Sequence, residues 1–155
     1  MTAQVRDTII YNGDEYYLAD CDLFDPSLYG LNPCRSFTAC IRGYQSIYAV
    51  FEKHLVLDSL RLTLPAEENK STTRPYINGV APTGPADEID VFNCYYEKLC
   101  LPLKYSGALL IRNGGIDVPT PLFRPALKHA KVIELMFTDG ILQKEIDRSG
   151  MSECL

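Results

Sequence analysis

Residues 40–64 read CIRGYQSIYAVFEKHLVLDSLRLTL, and this stretch decides the fold class. Tyr44 to Phe51 is dense in aromatic and β-branched residues, which suit a pleated, half-buried surface. Gln45, Ile47, Ala49 and Phe51 share one face, and Tyr44, Ser46, Tyr48 and Val50 share the other. Neither face is plainly polar, so the strand is expected to be central or covered on both sides. Glu52-Lys53-His54 is a short polar loop without the Asn-Gly or Asp-Gly of the tightest turns. His54 is the residue expected to hold a left-handed conformation there. The return strand begins Leu55, Val56, Leu57, and its apolar phase then shifts to Leu60, Leu62 and Leu64. A one-residue slip would turn every side chain to the wrong face. A bulge at Asp58-Ser59 absorbs the shift and is the expectation. A strand buried on both faces would need none.

Two further hairpins flank this one. Asp7 to Tyr11 and Tyr16 to Ala19 are apolar runs joined through Asn12-Gly13, a strong hairpin signal. Lys131 to Phe137 and Ile141 to Ile146 are joined through Asp139-Gly140. Tyr105 to Arg112 reads as another strand, with Gly107 marking a bulge or a close approach. Asp87 to Leu99 has the pattern of a helix. Asp87 caps it, Ile89, Phe92, Tyr96 and Leu99 form one apolar face, and Pro102 limits it. Asp20 to Ala39 is irregular but carries Leu23, Phe24, Leu28, Tyr29 and Leu31, so it is expected to lie over the sheet. The expected fold is mainly β (α+β): an antiparallel sheet or partly open barrel of three hairpin-like units with one helix.

The 155 residues suffice for a single domain. The stretch 65–86, rich in Pro, Glu, Asn, Ser, Thr and Gly, cannot bury enough surface to offset its ordering entropy and reads as a mobile excursion. Tyr76 and Ile77 are its candidates for local docking. The tail 149–155 is expected to fray.

Composition narrows the function classes. The net charge is −5, and Lys and Arg are scattered without a basic stripe, which argues against nucleic acid. No run approaches the roughly 20 apolar residues of a membrane span. The first residues carry no apolar signal region, so a cytoplasmic location is expected. The six cysteines are expected to be free thiols. Cys34 and Cys40, like Cys94 and Cys100, are separated by five residues, off the usual zinc spacing, and no metal or other cofactor is expected.

Catalytic motifs are equally thin. Phosphate loops of the GxxxxGK[ST] type, GxGxxG and HExxH do not occur in the sequence. His54 lies in an expected turn and His129 in a basic stretch, so both read as solvated, and no catalytic residue is assigned. Glu134, between Ile133 and Leu135, is expected to face water. The candidate binding residues are Arg42, Tyr44 and Tyr48. An Arg early in a strand near a sheet edge can take an anion or a partner's carboxylate, and can equally pair with a carboxylate of its own domain. Ten Tyr and no Trp suit an adaptable contact surface, and also ordinary strands.

Two motifs carry a resemblance. The first is D-x-x-I-x-Y-x-G-x-x-Y-x-L, with Asp7, Ile10, Gly13, Tyr16 and Leu18. The second is C-x-R-G-Y, with Cys40, Arg42, Gly43 and Tyr44, leading through Tyr48 to Leu55 and Leu57. With a closing pair of blocks, Ser106 to Ile111 and Phe137 to Leu142, the chain resembles a family of small uncharacterised bacterial β-rich proteins over about half its length. It departs at Ile41 and Tyr48, where Trp would stand in that pattern. The resemblance implies a fold and a bacterial origin and transfers no activity.

The resulting expectation is a non-enzymatic protein-interaction module of immunity or accessory type, meeting a protein partner, and the acidic balance would suit a basic one. Homo-oligomerisation through exposed strand edges is a further option. The alternative is a small-ligand protein or enzyme with a pocket between sheet and helix, using Cys40, His54 or Glu134.

Overall fold

The computed structural model describes residues 6–18, 23–34, 42–65, 75–84, 92–113 and 131–148. Its strands are β1 (Thr8–Tyr11), β2 (Asp14–Leu18), β3 (Tyr44–Phe51), β4 (His54–Leu62), β5 (Cys94–Tyr96), β6 (Leu101–Pro102), β7 (Gly107–Asn113), β8 (Lys131–Thr138) and β9 (Ile141–Asp147). Seven of them close into a barrel in the order β3-β1-β2-β7-β8-β9-β4, with β4 returning to β3. The short strands β5 and β6 lie beside β4 outside that ring. Pairing is antiparallel except between β1 and β3, which run parallel. The mainly β class holds, and the expected antiparallel sheet or partly open barrel is a closed barrel.

Both glycine-bearing hairpins form as the sequence indicates. Asn12-Gly13 and Asp139-Gly140 have positive φ at both central residues, the geometry that matches the strands' own twist. The central hairpin reaches the same geometry without glycine: Glu52 and Lys53 have φ of 49° and 67°. His54 is not the left-handed residue. It is already in β4, paired with Phe51, because a two-residue loop leaves it no other place.

The bulge falls at Asp58. Ile47 pairs with Ser59 but Tyr48 pairs with Leu57, so Asp58 is the extra residue. Its insertion keeps Leu55, Leu57, Leu60, Leu62 and Leu64 all buried, in one hydrophobic core. A second shift, between Met136 and Phe137, leaves Gln143 as the extra residue of β9. Bulges increase local twist, and strands must tilt and coil for a barrel to close.

Tyr44, Ser46, Tyr48 and Val50 are the inward face of β3. Ile9, Tyr16, Leu18, Leu109, Ile111, Leu135 and Phe137 meet them from the other strands, so the barrel axis is packed with side chains. Outside the ring, Phe24 and Leu31 join the core on either side of a short 3-10 helix, Pro26–Tyr29. Leu28 and Tyr29 point outward, so this segment covers the sheet with only part of its apolar set.

The helix expected over Asp87 to Leu99 does not form over residues 92–99, the part of it that is described. Residues 94–96 are strand β5, paired with Leu60, Arg61 and Leu62, and no helix of seven residues or more occurs among the described residues. Phe92, Cys94 and Tyr96 are buried at every second position, a strand period that the sequence reading missed. Pairing with β4 outweighed the helical spacing of Ile89, Phe92, Tyr96 and Leu99. Over 75–84, the 65–86 stretch is tied to β5. Ile77 pairs with Val80 and Thr83 with Tyr95, while the Tyr96 hydroxyl donates to the Pro75 carbonyl at 2.7 Å. Ile77 is fully buried and Tyr76 is exposed. The tail 149–155 lies outside the described residues.

Gly140 is fixed by packing as well as by conformation. A Cβ there would stand 2.1 Å from the Leu103 carbonyl oxygen, whereas one at Gly13, at nearly the same φ, would meet nothing within 4 Å. Gly13→Ala is therefore expected to cost about 1 kcal/mol, the backbone term alone. Gly140→Ala adds a collision with rigid backbone and should cost at least about 3 kcal/mol. Paired urea melts of the two variants measure the difference.

Candidate functional site

Arg42, the leading candidate from the sequence, sits where the chain enters β3. The next residue, Gly43, has φ of 82°, and a Cβ on it would overlap the Cys34 carbonyl. This close approach lets the 31–34 segment lie against the barrel, with the Cys34 amide donating to the Thr63 carbonyl at 2.8 Å. The guanidinium of Arg42 turns back along the strand. Its Nε donates to the Tyr44 carbonyl at 2.9 Å, and its Cζ lies 4.3 Å from the Tyr44 ring centroid. Arg42 Nη2 forms an ion pair with Asp7 Oδ1.

Asp7 is the residue whose role the sequence left unread. It stands just before β1, and its carboxylate also accepts from the Ser46 amide at 2.9 Å. The Asp7 side chain is 4% exposed and that of Arg42 34%. The parallel pairing of β1 with β3 brings the two together, because each stands near the start of its motif, just before its strand. The signal was present: both motifs carry one charged residue at the mouth of a strand, of opposite sign. What the sequence could not supply was that the strands are neighbours.

The other sequence candidates are dispersed. Tyr44 lies under the Arg42 guanidinium and Tyr48 is fully buried inside the barrel, so these two binding candidates are on the inner face of β3. Their alternation favoured the interior because Ile47, Ala49 and Phe51 occupy the outer side of the same strand. His54 is exposed opposite Phe51. Glu134 is half-buried on the outer face and accepts from Arg148 Nη2 at 2.7 Å. Cys34 and Cys100 are exposed and Cys94 is buried, with no disulfide among the three. Cys21, Cys40, Cys154 and His129 lie outside the described residues. The helix expected to line a pocket against the sheet is absent over residues 92–99, and no helix of seven residues or more occurs among the described residues.

A second polar contact was not anticipated. The Tyr11 hydroxyl, at the end of β1, donates to Glu145 Oε2 of β9. Burial and then the Glu145 carboxylate push the Tyr11 phenol up from its usual 10.0 to about 12. On the outer wall, the strand registers align apolar side chains across the sheet. Ile10 lies beside Ala49, which lies opposite Val56. Next to that row, Phe51 lies opposite His54, which lies opposite Ile141. Ile10 is 37%, Phe51 66% and Ile141 40% exposed.

The molecule is thus a closed seven-stranded barrel with a filled axis, one charged clasp at the β1–β3 junction and an apolar strip on the outer wall. Comparison with protein-family models, with curated proteins and with solved structures gives no match to the chain. No helix among the described residues is long and apolar enough to cross a membrane.

Two consequences are measurable. Arg42→Ala leaves a buried carboxylate without its cation and should destabilise the protein by about 3 kcal/mol. Removing the more exposed Arg148 partner of Glu134 should cost about 0.5 kcal/mol; chemical denaturation of both variants compares them. Tyr11 titrates higher in the fold than in the unfolded chain. Its contribution is complete below pH 10.0 and is lost as pH rises through about 12. The alkaline unfolding midpoint of Tyr11→Phe is expected to lie above that of the parent, relative to each protein's stability at pH 8.

Proposed function

We propose that this chain is a non-enzymatic protein-interaction module of immunity or accessory type that meets its partner through the outer wall of β1, β3, β4 and β9. The observation that carries this reading is the apolar strip Ile10, Ala49, Phe51 and Ile141, which continues over the buried Val56. Contiguous outward apolar groups cost solvation free energy and mark interaction surfaces when rimmed by polar residues. Glu52, Lys53 and His54 form such a rim at the hairpin tip. Phe51 offers a large aromatic anchor of the kind that dominates interface energetics. The packed axis favours the wall over the lumen, because side chains already fill the space a small ligand would need. The net charge of −5 suits a partner of basic character.

A photo-crosslinking residue placed at Phe51 in the full chain tests the reading inside the source cell. Crosslinking to one predominant protein is expected, weakened about tenfold by Ile10→Asp on the same strip. The same residue at exposed Glu97 should not capture it. Equal capture from both positions, or none from Phe51, rejects the outer wall as the contact surface.

A further inference from the structure

We infer that the barrel opens and recloses at one seam, between β4 and β9, and that Tyr11 and Glu145 form the latch across it. The seam is the thinnest junction of the ring. β3 and β4 share eight paired positions, β7 and β8 seven, and β8 and β9 six. The β2–β7 junction has two, and β4 meets β9 at one, His54 with Ile141. Two backbone bonds bracket that pair. The Leu55 amide donates to the Gly140 carbonyl at 2.8 Å and the Leu142 amide to the Lys53 carbonyl at 2.7 Å.

The reason is geometric. β4 runs on from His54 beside β6 and β5, where Val56 pairs with Pro102 and Leu60 with Tyr96. β9 runs the other way, past the Glu52–Lys53 turn. The two strands therefore share only a corner, and each leaves it with a different neighbour.

The latch spans the side of the corner that backbone pairing does not cover. Tyr11 ends β1 beside the same turn, because Ile10 pairs with Ala49 near the end of β3. Its hydroxyl reaches Glu145 on the length of β9 beyond Leu142. The pivot is on the opposite side. The Gly140 amide donates to the Tyr105 carbonyl at 2.8 Å and the Asp139 amide to Ser106 Oγ at 2.8 Å, which hold the β8–β9 tip in place. Opening consequently swings the far part of β9 away from the β3–β4 tip: the Leu142 bond to Lys53 parts first, the turning of the Gly140 peptide at the pivot then releases the Leu55 amide, and Tyr11 is uncovered. Regions joined by few backbone bonds open at lower free energy than the ladders around them.

Native-state amide hydrogen exchange on the full chain tests this. The Leu55 and Leu142 amides are expected to exchange at least about tenfold faster than the β7–β8 ladder. Tyr11→Phe and Glu145→Gln should each speed those two amides by about tenfold and leave the ladder unchanged. Exchange of Leu55 and Leu142 at the ladder's rate, or an equal acceleration at every amide in both variants, overturns the inference. A covalent lock provides the converse. His54 and Ile141 form the non-hydrogen-bonded type of antiparallel pair, whose Cα separation of about 4.5 Å lies within disulfide reach. In His54→Cys/Ile141→Cys, with the bridge confirmed by peptide mass, oxidation should slow Leu55 and Leu142 to the ladder's rate. Unchanged exchange after oxidation counts against a seam opening.

Discussion

Closure of this barrel depends on the Asp7 carboxylate. β1 and β3 are parallel and far apart in sequence, so no tight turn holds them in register. Asp7 does so from the side: it accepts from the Ser46 amide of β3 and pairs with Arg42 at the mouth of the same strand. A nearly buried carboxylate is costly to desolvate, and here a cation and a backbone donor offset that cost. The pair is therefore better understood as a register device than as a source of net stability. Arg42, the strongest anion-site candidate in the sequence, is engaged in this clasp, the pairing with a carboxylate of its own domain that the sequence also allowed.

With that junction set, the remaining order of the ring follows. β2 and β4 are each held to their hairpin partner by a turn, and the β7–β8–β9 meander bridges them. Two bulges supply the extra twist, at Asp58 and at Gln143. The Asp58 bulge has a second effect: it returns the leucines of β4 to the interior after a phase shift that would otherwise expose half of them. The axis is filled this way, while Ile10, Phe51 and Ile141 remain exposed on the outer side. The strip and the β4–β9 corner meet at His54 and Ile141, so the surface proposed for partner contact borders the junction proposed to open.

Local patterns were legible in proportion to how local their physics is. Asn12-Gly13 and Asp139-Gly140 announce their hairpins because positive φ at consecutive positions leaves few residue choices. The Asp58 bulge was readable from the leucine phase alone. The 87–99 segment was misread because its apolar residues fit spacings of three and four as well as the alternation of Phe92, Cys94 and Tyr96. Tyr44 and Tyr48 were named as binding candidates from residue type, and composition does not say which of two mixed faces of a strand turns to the core.

The sequence by itself determined the β class, the three hairpins, the bulge and the want of a basic stripe, all of which rest on neighbours within a few residues. Only the tertiary structure decided that the sheet closes, that β1 lies parallel to β3, that Asp7 meets Arg42, and that Tyr11 meets Glu145 across 134 positions of chain. Turn geometry and strand phase are properties of consecutive dihedrals. Strand order is a choice among distant pairings of similar local energy, and it is settled by the packing of the whole core.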